Sequence, residues 1–125
     1  MSRDDVNRTA ADLRPPTEAE KGLIDALLAA EFPGKEALRM QVATALVKTL
    51  DEDGGLEISP PQGSPLAPVV RRIPVEAEAD DVDGVPIHLL LHVVDGLARE
   101  LELFREDGKP VQRQPSPESL RLLVL

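Results

Sequence analysis

Asp95-Gly96 lies between two alternating apolar segments, PIHLLLHVV (86–94) and LARELELF (97–104), and this arrangement constrains the fold more than any other part of the chain. Asp-Gly supplies the left-handed backbone of a tight hairpin, and alternation gives each strand one face for a core and one for water. Asp83-Gly84 precedes the pair and Asp107-Gly108 follows it, so antiparallel strands are expected over about 85–93 and 97–106. A two-residue loop pairs Val94 with Leu97 and sets Leu91 against Glu100 and Leu89 against Glu102, which mixes apolar and charged groups on one face. A three-residue loop, Val94-Asp95-Gly96 with Gly96 left-handed in a G1 bulge, pairs Val93 with Leu97 instead. Ile87, Leu89, Leu91 and Val93 then meet Leu103, Leu101, Arg99 and Leu97, while His88, Leu90, His92, Glu102, Glu100 and Ala98 share the opposite face. Only this register separates the faces, and it is the one expected.

Upstream, residues 1–16 read as a flexible tail ending in Pro15-Pro16, and 17–125 as a single domain. Thr17-Glu18-Ala19-Glu20 has the form of a capping box. Leu23, Ile24, Leu27, Leu28 and Phe32 follow at helical spacing, predicting a helix over about 18–31 that Pro33-Gly34 ends. A second helix over about 35–50 puts Leu38, Val42, Ala45, Leu46 and Leu50 on one stripe. Leu56-Glu57-Ile58 reads as a short strand and SPPQGSPLAP (59–68) as a loop. VVRRIPVEAE (69–78) alternates, with Val69, Arg71, Ile73, Val75 and Ala77 on one side, and its Pro74 argues for an edge or a bulge. Leu120–Leu125 reads as a final strand or docked tail. The predicted class is α+β, with two N-terminal helices packed on one face of an antiparallel β-meander of three to five strands.

Charge narrows the function classes. The formal net charge is −9 over 125 residues. Between Glu76 and Asp107 stand ten acids, namely Glu76, Glu78, Asp80, Asp81, Asp83, Asp95, Glu100, Glu102, Glu106 and Asp107; only Arg99 and Arg105 oppose them, a local charge of −8. Such a surface disfavours nucleic-acid phosphate and suits a basic protein partner. There is no cysteine, no signal-peptide pattern and no apolar run of membrane-spanning length, so a cytoplasmic protein without membrane association is expected.

The candidates for chemistry fall away one by one. His88 and His92 are four apart, but on a strand that is roughly 13 Å at ~3.3 Å per residue, too far to share one ion. In the expected register His88 faces Glu102. The acidic glycine turns lack the ligand positions of a calcium loop, and no nucleophile elbow, phosphate loop or dinucleotide fingerprint is present. Two aromatic residues, Phe32 and Phe104, cannot furnish a sugar platform. No catalytic residue, cofactor or metal is expected. The predicted function is a non-enzymatic acidic binding module that neutralises or regulates a basic protein, a toxin being one such partner. Its partner-binding residues are Glu100, Glu102, His88, His92, Asp80, Asp81 and Asp83. The alternative is a structural or self-associating module that uses an edge strand or the apolar C-terminal tail; a monomer or a homodimer is expected.

The chain also resembles a group of small uncharacterised bacterial proteins that carry an "E…LI..LL…FPG…L..Q" helical segment and a "DG.L.ELE…DG.P" hairpin. The matching positions are Glu20, Leu23, Ile24, Leu27, Leu28, Phe32, Pro33, Gly34, Leu38 and Gln41, then Asp95, Gly96, Leu97, Glu100, Leu101, Glu102, Asp107, Gly108 and Pro110. The resemblance spans most of 17–112 and implies no activity. Immunity proteins of bacterial toxin systems share the small, acidic α+β character at the level of class.

Overall fold

Alternation writes the core directly into the hairpin. In a computed structural model that describes residues 12–68 and 71–124, strand β4 (Pro86–Val94) buries every second residue, and β5 (Leu97–Arg105) buries Ala98 and then, after a break at Arg99 and Glu100, Leu101, Leu103 and Arg105. With β1 (Leu46–Thr49), β2 (Leu56–Ser59), β3 (Val75–Asp80) and β6 (Arg121–Val124) they form one antiparallel sheet in the order β1-β2-β5-β4-β3-β6. The α+β architecture is as expected, with six strands where three to five were anticipated.

Helix α1 (Glu18–Leu27) begins at a complete capping box: the Glu20 N–H donates to Thr17 Oγ1 and the Thr17 N–H to Glu20 Oε1. Its Leu23, Ile24 and Leu27 join Leu38 and Val42 of α2 (Lys35–Ala43) against Ile87, Leu89, Leu91, Leu101 and Leu103 in a single apolar cluster. Each fully buried leucine contributes about 2 kcal/mol of apolar burial. Both helices cover one face of the sheet; the other face is left to water, as antiparallel sheets allow.

Four expectations are corrected. First, Asp95 (φ 52°) and Gly96 (φ 81°) form a two-residue turn with Val94 opposite Leu97, not a three-residue loop. The register is then shifted by a bulge: Val93 faces Ala98, His92 faces Glu100, and Arg99 has no partner. Leu91 therefore meets Leu101, and the faces separate by another route. His88 lies across from Phe104, not Glu102. Second, α2 stops at Ala43, and residues 46–49 form β1 because Val47 finds partners in Ile58 and Arg14. Third, regular pairing in the 69–78 segment starts only at Val75, immediately after Pro74; Val69 and Val70 lie outside the described residues. Fourth, β3 is no edge, since β6 pairs along its other side. Residues 1–11 of the expected tail lie outside the described residues; within 12–16, Arg14 exchanges both main-chain hydrogen bonds with Val47, at 2.9 and 2.7 Å.

Candidate functional site

The water-facing side of the sheet gathers the even-numbered residues of β4 with the corresponding residues of its neighbours. Glu57 on β2 stands directly across from Glu100 on β5, and Glu100 across from His92 on β4. In the next row Glu102 faces Leu90, and Leu90 faces Glu76. In the third, Phe104 faces His88, and His88 faces Glu78. Phe104 and His88 stack with ring centroids 5.1 Å apart. Among the described residues, Glu57, Glu76 and Glu100 have no ion-pair partner. Like charges set directly opposite oppose folding by a few tenths of a kcal/mol or more, so the Glu57–Glu100 pair is a local cost that packing does not require.

The histidines separate into two clusters. His92 Nε2 lies 2.8 Å from Glu102 Oε1, and the Arg72 Nε–H donates to His92 Nδ1 at 3.1 Å. These partners assign the Nε2–H tautomer, with Nδ1 accepting and Nε2 donating. His88 Nε2 lies 3.0 Å from Glu106, and its Nδ1 4.0 Å from Glu78. His92, Glu100 and Glu102 bring one potential metal-ligand atom each within 4.8 Å of one another, and Glu78, His88 and Glu106 do the same. A cation bound at His92 Nε2 would need the opposite tautomer, whose Nδ1–H would confront the Arg72 N–H. The bonds around His92 thus favour a charged hydrogen-bond chain, Arg72–His92–Glu102, over a metal centre.

The three loop acids divide differently. Asp81 is inaccessible: its side chain has 0% exposure and receives the N–H groups of Val82, Gln112 and Arg113 and the Arg105 guanidinium. Burial pushes its carboxyl up, but these four donors outweigh burial and hold it at about 2. Arg105, itself 2% exposed, also bonds Asp83, whose carboxyl it lowers, and Asp107, whose carboxyl it holds well below the usual carboxylate range. Asp80 pairs with Arg121 at 3.0 Å. Of the seven residues singled out from sequence, Glu100, Glu102, His88 and His92 share the open face, Asp80 and Asp83 are engaged at its end, and Asp81 is part of the interior. Glu57 and Glu76 belong to the face and were missed. Glu57 sits on a strand whose partner depended on distant chain. Glu76 was counted among the acids but could not be assigned a row without the β3–β4 register.

A family model described as Domain of unknown function (DUF6984) matches residues 13–115. The chain belongs to that family. The DUF6984 match covers both helices and β1 through β5, including every residue of the acidic face named above, and ends before β6. No curated protein and no solved structure matches the chain. No helix among the described residues is long and apolar enough to cross a membrane.

Proposed function

We propose that this DUF6984 protein is a non-enzymatic binding module whose open sheet face docks a basic protein surface. The observation that carries this reading is the Glu57–Glu100 pair, two residues held opposite each other on the face that neither helix covers, with no cationic partner among the described residues. Proteins depart from local stability rules most often where a surface is reserved for a partner. Glu76 and Glu102 extend the row, His92 and His88 stand beside them, and Phe104 and Leu90 provide apolar contact. Lysine and arginine side chains of a partner would pair with the free glutamates and relieve their repulsion, which favours both rapid association and selectivity. The docking set is therefore Glu57, Glu76, Glu100, Glu102, His88 and His92, with Asp80 and Asp83 at its margin. Neutralisation of a basic toxin, as an immunity protein performs it, is one form this takes. The reading assumes a bacterial cytoplasm, which a cysteine-free chain suits.

The test is affinity capture from a bacterial host with wild type and a Glu57→Lys/Glu100→Lys double variant, washed at low and then high salt. A basic protein retained by wild type, released by salt and absent from the variant supports the reading. A partner that binds both chains equally, or that salt does not release, overturns it.

A further inference from the structure

The two edges of the sheet differ. At β1, Arg14 takes both main-chain groups of Val47, and its guanidinium reaches Thr49 Oγ1 at 2.7 Å, so that edge is covered. At β6, no described residue pairs along the outer side. The three residues there are apolar and open to solvent: Leu122 is 41%, Leu123 54% and Val124 44% exposed. The usual protections of an exposed edge are a charge, a proline or a bulge. The single charge here, Arg121, is turned away onto Glu78 and Asp80 of its own sheet.

The hydrogen-bond phase identifies what fits this edge. The Asp81 N–H donates to Val85 O and the Val93 N–H to Arg72 O, so odd-numbered residues of β3 bond β4 and Glu76 and Glu78 turn toward β6. Their partners on β6 are Leu123 and Arg121. Alternation then aims the main-chain groups of Leu122 and Val124 outward. We propose that β6 pairs antiparallel with β6 of a second copy, centred on Leu123. In this register Leu122 of each chain faces Val124 of the other, and each such pair exchanges two hydrogen bonds. All four outward N–H and C=O sets are satisfied, Leu122 and Val124 cover each other on the helix side, and Leu123 meets its own copy on the outer side. Centring on Leu122 fails, because that register requires the Leu120 N–H, which already donates to Pro117 O. The edge is thus self-complementary, as a two-fold interface must be, and no like charges meet across it.

Four-residue strands bury little area, and interfaces below about 1,200 Å² support weak association. The dimer is expected to form in the micromolar range or above, and to strengthen with salt because the two chains carry the same net charge. Salt dependence has the opposite sign for docking of a basic partner, so the two interactions separate in one titration. The experiment is sedimentation of the full chain over a concentration series, with amide exchange on the same samples. Concentration-dependent dimer, abolished by Leu123→Lys and retained by Leu123→Val at unchanged far-ultraviolet dichroism, supports the pairing. So does slowing of Leu122 and Val124 exchange by about tenfold or more on concentration, with Leu123 unaffected. A wild type that stays monomeric at every concentration, a dimer that Leu123→Lys leaves intact, or exchange that does not change at Leu122 and Val124 overturns it.

Discussion

Gln41 on α2 accepts the backbone N–H of Ala98 on β5 through its Oε1 at 2.8 Å, joining two residues 57 positions apart. Its Nε2 donates to Gly96 O at 2.7 Å and to Pro65 O at 2.8 Å, so a fully buried amide has three partners, all of them main chain. Gly96 is fixed twice over at this junction: its φ is 81°, and a Cβ would come within 3.0 Å of Leu66 Cβ. The side chain takes over where β2 stops following β5, and it holds the hairpin tip and the 59–68 loop to the helix.

Gln41→Leu should therefore cost about 2–4 kcal/mol despite its similar size, because it leaves the Ala98 N–H and the Pro65 carbonyl without partners and strips one of two donors from the Gly96 carbonyl, which keeps the Ala67 N–H. Urea denaturation measures this directly. A loss under about 1 kcal/mol would show that water or a shifted loop replaces the amide.

Acid should unfold the protein through the Arg105 cluster. The Asp81 carboxyl is held at about 2 against an ordinary 3.8. A depressed acid contributes stability that is fully present above its unfolded value and disappears as pH falls through its folded value. Asp83 and Asp107 are depressed by the same guanidinium and act with the same sign. Melting temperature should drop most steeply between pH 3.8 and about 2. Asp81→Asn should lower it already at neutral pH and flatten the acid limb, since an amide group would face donors with donors. An unchanged acid limb in the variant would remove Asp81 from this role.

Gly22 gives α1 its contact with the C-terminal segment. A Cβ on Gly22 would lie 2.8 Å from Pro117 Cγ, in the 3₁₀ turn (Pro117–Ser119) that leads into β6. Gly22→Ala gains about 1 kcal/mol of helix propensity but displaces that turn. The expected result is a global stability changed by less than about 1 kcal/mol and faster amide exchange confined to β6. Adding Pro117→Ala should restore the exchange rates, and a double-mutant cycle measures the coupling.

Removing one charge from the Glu57–Glu100 pair should stabilise the fold. Glu57→Gln or Glu100→Gln is expected to raise the urea midpoint by the equivalent of about 0.2–1 kcal/mol. The gain should be smaller at high salt, because screening weakens the repulsion in the parent. A loss of stability would mean that the pair is bridged by a cation.

How much of this was readable in the sequence depended on distance along the chain. The capping box at Thr17 and Glu20, the place of the Asp95-Gly96 turn and the inward leucines of β4 are decided by neighbours and were legible, but the two-residue form of that turn was not. The extra residue in the hairpin was also legible as a need, since Leu91 must avoid Glu100. Its position at Arg99 was not, because Gln41 and the Arg72 carbonyl, both far away, hold the bulged segment. The end of α2 was missed for the same reason: Ala45 and Leu46 continue the helical stripe, while the partners that make Val47 a strand residue are Arg14 and Ile58. Charge counting treated every acid alike. It located the region of the open face, but it could not tell Glu100, which has no ion-pair partner among the described residues, from Asp81, which the inward-pointing Arg105 at the end of β5 had claimed.

The bridge between Arg14 and Val47 also bears on how far assembly can proceed. A sheet with two bare edges can add copies without limit and become a fibril. With β1 capped at Val47 by Arg14, the outer side of β6 is the one bare edge among the described residues. Two such edges joined by a two-fold axis consume each other, so assembly through strand pairing terminates at a pair.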